Sequence, residues 1–76
     1  MKYYDRIRAL REDNDLTQQY IADLLHIGQR TYCDYETGKT RIPVERLLIL
    51  AKFYDVSMDY ISGASDIKNP YPGQVS

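Results

Sequence analysis

The chain has no tryptophan, one cysteine (Cys33) and one histidine (His26) in 76 residues. A lone cysteine closes no internal disulfide. A lone imidazole with no thiol pair or second histidine nearby makes neither a metal site nor a catalytic triad. No enzyme activity, metal or cofactor is therefore expected. Proline is sparse, with one at Pro43 and the other two at Pro70 and Pro72. Long apolar runs are missing too. None approaches the ~20 residues of a membrane-spanning helix, and the opening MKYYDRIRALRED is too charged for the apolar region of a signal peptide. There is no strand-like alternation, internal repeat or low-complexity run. Neither sign of charge dominates, with ten Lys and Arg against eleven Asp and Glu. These absences leave one small all-α domain, expected in the cytoplasm and away from membranes. A domain of this size buries only about 60% of its unfolded surface, so it needs tight packing or a second copy.

What is present is helical spacing. Tyr4, Ile7 and Leu10 form one stripe over residues 3–14, with Arg6, Arg8 and Arg11 between them. Asn14 and Asp15 tolerate left-handed backbone and should end that helix. Thr17 is a good N-cap for a second helix over 18–25, with Ile21, Leu24 and Leu25 facing inward and small Ala22 where another helix can cross closely. The turn His26-Ile27-Gly28 is short enough to force a steep exit, and Ile27 should plug the gap it leaves. A third helix over 29–36 puts Thr31, Tyr32 and Tyr35 inward and Gln29, Arg30, Cys33 and Asp34 outward, with Gly38 as its left-handed stop. KTRIP follows as a basic loop. Pro43 suits the first turn of a fourth helix carrying Leu47, Leu50, Ala51 and Tyr54. Ser57 caps a last short helix closed by Gly63. Residues 1–63 form the domain, and 64–76 read as an extended or disordered tail.

The pieces LTQQYIADLL, TYCDYETGK and IPVERLLILAKFYDVSMDYISG, in this order and spacing, resemble the Cro/CI-type (XRE) helix-turn-helix domains of phage repressors. The resemblance covers residues 3–63 and implies a compact five-helix lambda-repressor-like fold, with the helix-turn-helix formed by helices 2 and 3. It also implies base reading by Gln29, Arg30 and Asp34. Backbone contacts fall to Gln18 and to the loop residues Lys39, Thr40 and Arg41, and Thr31 is assigned to the same set. A structural ion pair between Arg11 and Glu36 is implied as well. Where the family usually has glycine, before helix 2 and in the turn, this chain has Asp15 and His26, each at a cost of roughly 1 kcal/mol if left-handed.

The chemistry of these side chains fits double-stranded DNA as partner. A side-chain amide can pair with adenine N6 and N7, an arginine fork with guanine O6 and N7, and a carboxylate with the cytosine amino group. Lysine and arginine in the loop supply phosphate contact without sequence information. On composition alone the same residues suit an ordinary solvated helix face. Tyr20, on the outer side of helix 2, is a further candidate for phosphate contact. The function expected is a sequence-specific transcriptional regulator, a repressor, acting as a homodimer. Its dimer surface is sought in the last helix and tail, at Tyr60, Ile61 and Ile67. Two alternatives remain: an antitoxin whose tail folds on a protein partner, and a protein-interaction module that keeps the fold without binding DNA. The net charge of −1 supports the module.

Overall fold

The computed structural model describes residues 2–65. It contains five helices, α1 (Tyr3–Asp13), α2 (Gln18–Leu24), α3 (Gln29–Thr37), α4 (Val44–Tyr54) and α5 (Met58–Ile61), and no strand among the described residues. None of them is long and apolar enough to cross a membrane. The tail expected over 64–76 lies outside the described residues from position 66 onward. Residues 64 and 65 still fold back, both donating backbone N–H groups to the Asp59 carbonyl.

Local chemistry sets the helix ends. The Thr17 hydroxyl accepts from the Tyr20 N–H at 3.0 Å, and the Ser57 hydroxyl does the same for Tyr60 at 3.0 Å. Each satisfies one N–H that the first turn leaves without a partner. Asp15 and His26 are left-handed, with φ 55° and 59°. At positions 15 and 26 the two links around α2 therefore turn as the family's glycines would, with Asp and His in their place. Asp55 is left-handed too, at φ 57°, and ends α4. Pro43 differs from expectation: it is the N-cap of α4, with extended backbone, rather than a residue of its first turn. Its carbonyl accepts from Arg46 and Leu47, and it has no N–H to leave unsatisfied.

The core joins Ile7 and Leu10 of α1, Ile21 and Ala22 of α2, Tyr32 and Tyr35 of α3, Leu47, Leu50 and Ala51 of α4, and Ile61 of α5. Ile27 packs against it from the turn. Burial departs from the sequence reading at Thr31, Arg6, Tyr60 and Ile61. Thr31 is exposed, because the buried face of α3 is Tyr32, Tyr35 and Glu36, an i, i+3, i+4 set that leaves position 31 a third of a turn away. Arg6 is buried, its guanidinium carbon 3.9 Å from the centroid of the Tyr60 ring. Ile61 is fully buried, so the core of its own domain takes it up and it offers no dimer surface; Tyr60 is half-buried beneath Arg6. Ile67 lies outside the described residues.

Gly38 ends α3 at φ 80°, and a Cβ there would come within 2.9 Å of the Tyr4 ring. Gly38→Ala is expected to lose about 1–2 kcal/mol from the left-handed backbone alone, plus whatever displacing the ring costs. In a Tyr4→Ala background only the backbone part should remain. Urea midpoints of the four proteins separate the two contributions.

Candidate nucleic-acid interface

Besides the apolar packing of Tyr32 and Tyr35, α1, α2 and α4 each make a polar side-chain contact with α3. Glu36, in the last turn of α3, is buried. Arg11 of α1 forks onto it, Nε to Oε2 at 2.7 Å and Nη2 to Oε1 at 3.0 Å. The remaining Arg11 nitrogen, Nη1, donates to the Leu16 carbonyl at 2.8 Å, which pins the link between α1 and α2. Gln18, at the start of α2, donates its amide to Glu36 Oε1 at 3.2 Å. One carboxylate thus ties three helices. Burial pushes its pKa up, but the hydrogen bonds from Arg11 and Gln18 and the neighbouring Tyr32 dipole outweigh this, and the net direction is down. The hydrogen bond to Glu36 in turn holds Arg11 more firmly protonated. From the other side, Arg46 of α4 donates to the Tyr35 hydroxyl at 3.1 Å. The expected Arg11–Glu36 pair is present, and Gln18 joins it. The role of Gln18 seen here is holding α3; the phosphate contact expected of it is a separate matter.

Held this way, α3 presents Gln29, Arg30 and Thr31 at its first turn, all exposed. Asp34 follows one turn later with its side chain only 24% accessible, 3.8 Å from Arg30 Nε. Cys33, expected to point outward, is half-buried. Gly28 caps α3 without a side-chain hydrogen bond, so the N–H groups of its first turn stay without a side-chain partner. Lys39, Thr40 and Arg41 are exposed. Their loop folds back onto α3 through the Thr40 N–H, which donates to the Asp34 carbonyl at 3.2 Å. Tyr3 shapes the same loop: its hydroxyl donates to the Thr40 carbonyl at 3.4 Å and accepts from the Ile42 N–H at 3.2 Å. Sequence reasoning missed Tyr3 because its partners lie 37 and 39 residues away, beyond any local pattern. Tyr20 is 50% exposed and tilts against Phe53, ring centroids 6.2 Å apart.

Two helices joined by a left-handed turn, the second showing a polar face and followed by a basic loop, define a helix-turn-helix domain. The chain belongs to the helix-turn-helix family of the Cro/CI (XRE) type, whose family model matches residues 7–61. It is 40% identical over 68 residues to the uncharacterized HTH-type transcriptional regulator YobD of Bacillus subtilis, a match covering 90% of this chain and 61% of that protein. This chain therefore spans about three fifths of that relative's length. Its fold matches the crystal structure of a transcriptional regulator from Listeria innocua with a TM-score of 0.80 at 25% identity, over 93% of this chain and 64% of that one. It also matches the P22 c2 repressor, solved in complex with a synthetic operator, with a TM-score of 0.76 at 25% identity over 86% of this chain and 98% of that one. The lambda-repressor-like architecture expected from the sequence is the one observed.

Proposed function

We propose that this chain is a sequence-specific double-stranded DNA-binding transcriptional regulator, a repressor, whose α3 enters the major groove. The observation that carries this reading is the exposed first turn of α3, rigidly held and flanked by a basic loop, on a fold that matches a repressor solved with its operator. Arg30 and Gln29 face the bases. Lys39, Thr40 and Arg41 follow the phosphate backbone, and Thr31 and the N-terminus of α2 with Gln18 add to that contact. Asp34 has two roles open to it, accepting from a cytosine amino group and leashing Arg30 until DNA arrives. The leash is weak, because Arg30 is largely exposed and the pair is long at 3.8 Å, a contact worth about 0–1 kcal/mol. The protein acts in the cytoplasm, where two copies occupy half-sites about one helical turn apart.

The two arginine and lysine roles separate experimentally. Arg30→Ala should cost about 1–3 kcal/mol of DNA affinity and relax preference at one base position. Lys39→Ala should weaken all sequences alike and reduce the salt dependence by about one phosphate contact. Selection from a randomised duplex library, repeated at two salt concentrations, measures both. Equal effects of the two variants across the library would overturn the role assignment. Binding that is absent or flat with salt would favour a protein-interaction module instead.

A further inference from the structure

The outward face of α4 is apolar where a solvent-facing helix is ordinarily polar. Val44, Leu48, Ile49 and Phe53 are 68%, 41%, 43% and 39% exposed. The opposite face of the same helix, Leu47, Leu50 and Ala51, is buried in the core. Tyr20 of α2, leaning on Phe53, extends the exposed patch beyond α4. Along the midline of the stripe lie two exposed charges, Glu45 and Lys52, neither in an ion pair among the described residues.

The order of these six residues matters. With ~3.6 residues per turn, they are arranged symmetrically about the point between Leu48 and Ile49. Reversing the helix direction exchanges Val44 with Phe53, Glu45 with Lys52, and Leu48 with Ile49. Apolar positions fall on apolar positions, and each charge falls on its opposite. We infer that this face is a two-fold interface with a second copy of the chain, the two α4 helices running antiparallel. Across the axis, Leu48 and Ile49 meet their own counterparts in the partner. Glu45 of each copy lies opposite Lys52 of the other, and Val44 and Phe53 close the edges. A parallel pairing would set glutamate against glutamate and lysine against lysine, so the charges select the antiparallel register. Two-fold contact of a patch with itself is the commonest way for soluble chains to pair, and it requires this self-complementarity. The apolar residues supply the attraction and the two ion pairs fix orientation. One helix pair is a small interface, so the dimer is expected to be weak and concentration-dependent.

Sedimentation equilibrium of the full chain, without DNA, tests this. The unmodified protein should show a monomer–dimer equilibrium at high micromolar concentration. Glu45→Lys and Lys52→Glu should each weaken it by about tenfold or more, and the two together should restore it, because the swapped charges again meet their opposites. Leu48→Asp should abolish it. Circular dichroism should be unchanged throughout, since all three positions are exposed. A monomer at every concentration would overturn the inference, as would a dimer indifferent to the reversals or a double variant no tighter than either single one. Protection of Leu48 and Ile49 from hydroxyl-radical labelling in a monomer would also overturn it and give the face to residues 66–76. Because no DNA is present, failure here leaves the DNA-reading role standing, and loss of DNA reading leaves the dimer standing.

Discussion

Glu36→Ala is expected to remove about 3–5 kcal/mol of folding stability, a large share of the total for a small domain. The deletion does more than remove one partner of an ion pair. It strands the Arg11 guanidinium, whose side chain is only 13% exposed, and frees the Gln18 amide that now holds α2 to α3. Arg11→Ala should be nearly as costly, because Glu36 would then be a buried carboxylate with one amide donor left. Replacing both with apolar residues, as in Arg11→Met with Glu36→Leu, should recover much of the loss, since desolvated ion pairs seldom outperform good apolar packing. The pair also predicts an acid limit. The folded pKa of Glu36 lies below its unfolded value, so its contribution is fully present above the ordinary glutamate value of about 4.3. It is lost as pH falls through the lower folded value. Urea denaturation at neutral pH and at acid pH, on the parent protein and on Glu36→Gln, measures both effects. The parent should lose more stability on acidification than the variant does. Equal acid sensitivity, or a loss below about 1 kcal/mol in Glu36→Ala, would show that α3 is held by packing alone.

The helices and their inward stripes were readable because periodicity and caps are local. Thr17, Ser57 and Gly38 each act within a few residues, and each was expected where it stands. Asp15 and His26 were legible from the resemblance, which marked those positions as left-handed whatever residue filled them. What escaped were contacts between residues far apart in sequence. Tyr3 shaping the 40–42 backbone and Arg46 donating to Tyr35 leave no periodic trace. Arg6 escaped for another reason. A charged residue between apolar ones reads as solvent-facing until a ring, here Tyr60, comes to cover it. The reading face was legible in its residues but not in their pairing. That Arg30 rests near Asp34 follows from the i, i+4 spacing only once both are known to share a helix. The exposed stripe on α4 was also hidden: the inward set Leu47, Leu50, Ala51 and Tyr54 accounts for one face, and the apolar residues left over, Val44, Leu48, Ile49 and Phe53, carry no role until the surface is seen.

Tyr32→Ala and Tyr32→Phe should separate sharply, and the difference shows what supports α3 from behind. The Tyr32 side chain is fully buried and meets the Tyr35 ring edge-on, centroids 6.4 Å apart. Truncation to alanine should cost about 3–5 kcal/mol, the usual loss when a buried aromatic is replaced by a cavity. The hydroxyl is a different matter. It is buried close to Glu36 yet makes no hydrogen bond of acceptable geometry among the described residues, and burial, ahead of the adjacent carboxylate, pushes its pKa far up, so it stays a neutral phenol. An unsatisfied buried polar group carries a desolvation penalty of about 1–3 kcal/mol. Phenylalanine should therefore stay within about 1 kcal/mol of tyrosine, the relieved desolvation penalty offsetting the lost dipole beside Glu36. If Tyr32→Phe also keeps DNA affinity while Tyr32→Ala loses it, the ring alone sets the seat of the recognition helix. Thermal midpoints and duplex binding on the two variants decide this. A phenylalanine variant as unstable as the alanine one would instead make the hydroxyl a working part of the Arg11–Gln18–Glu36 network.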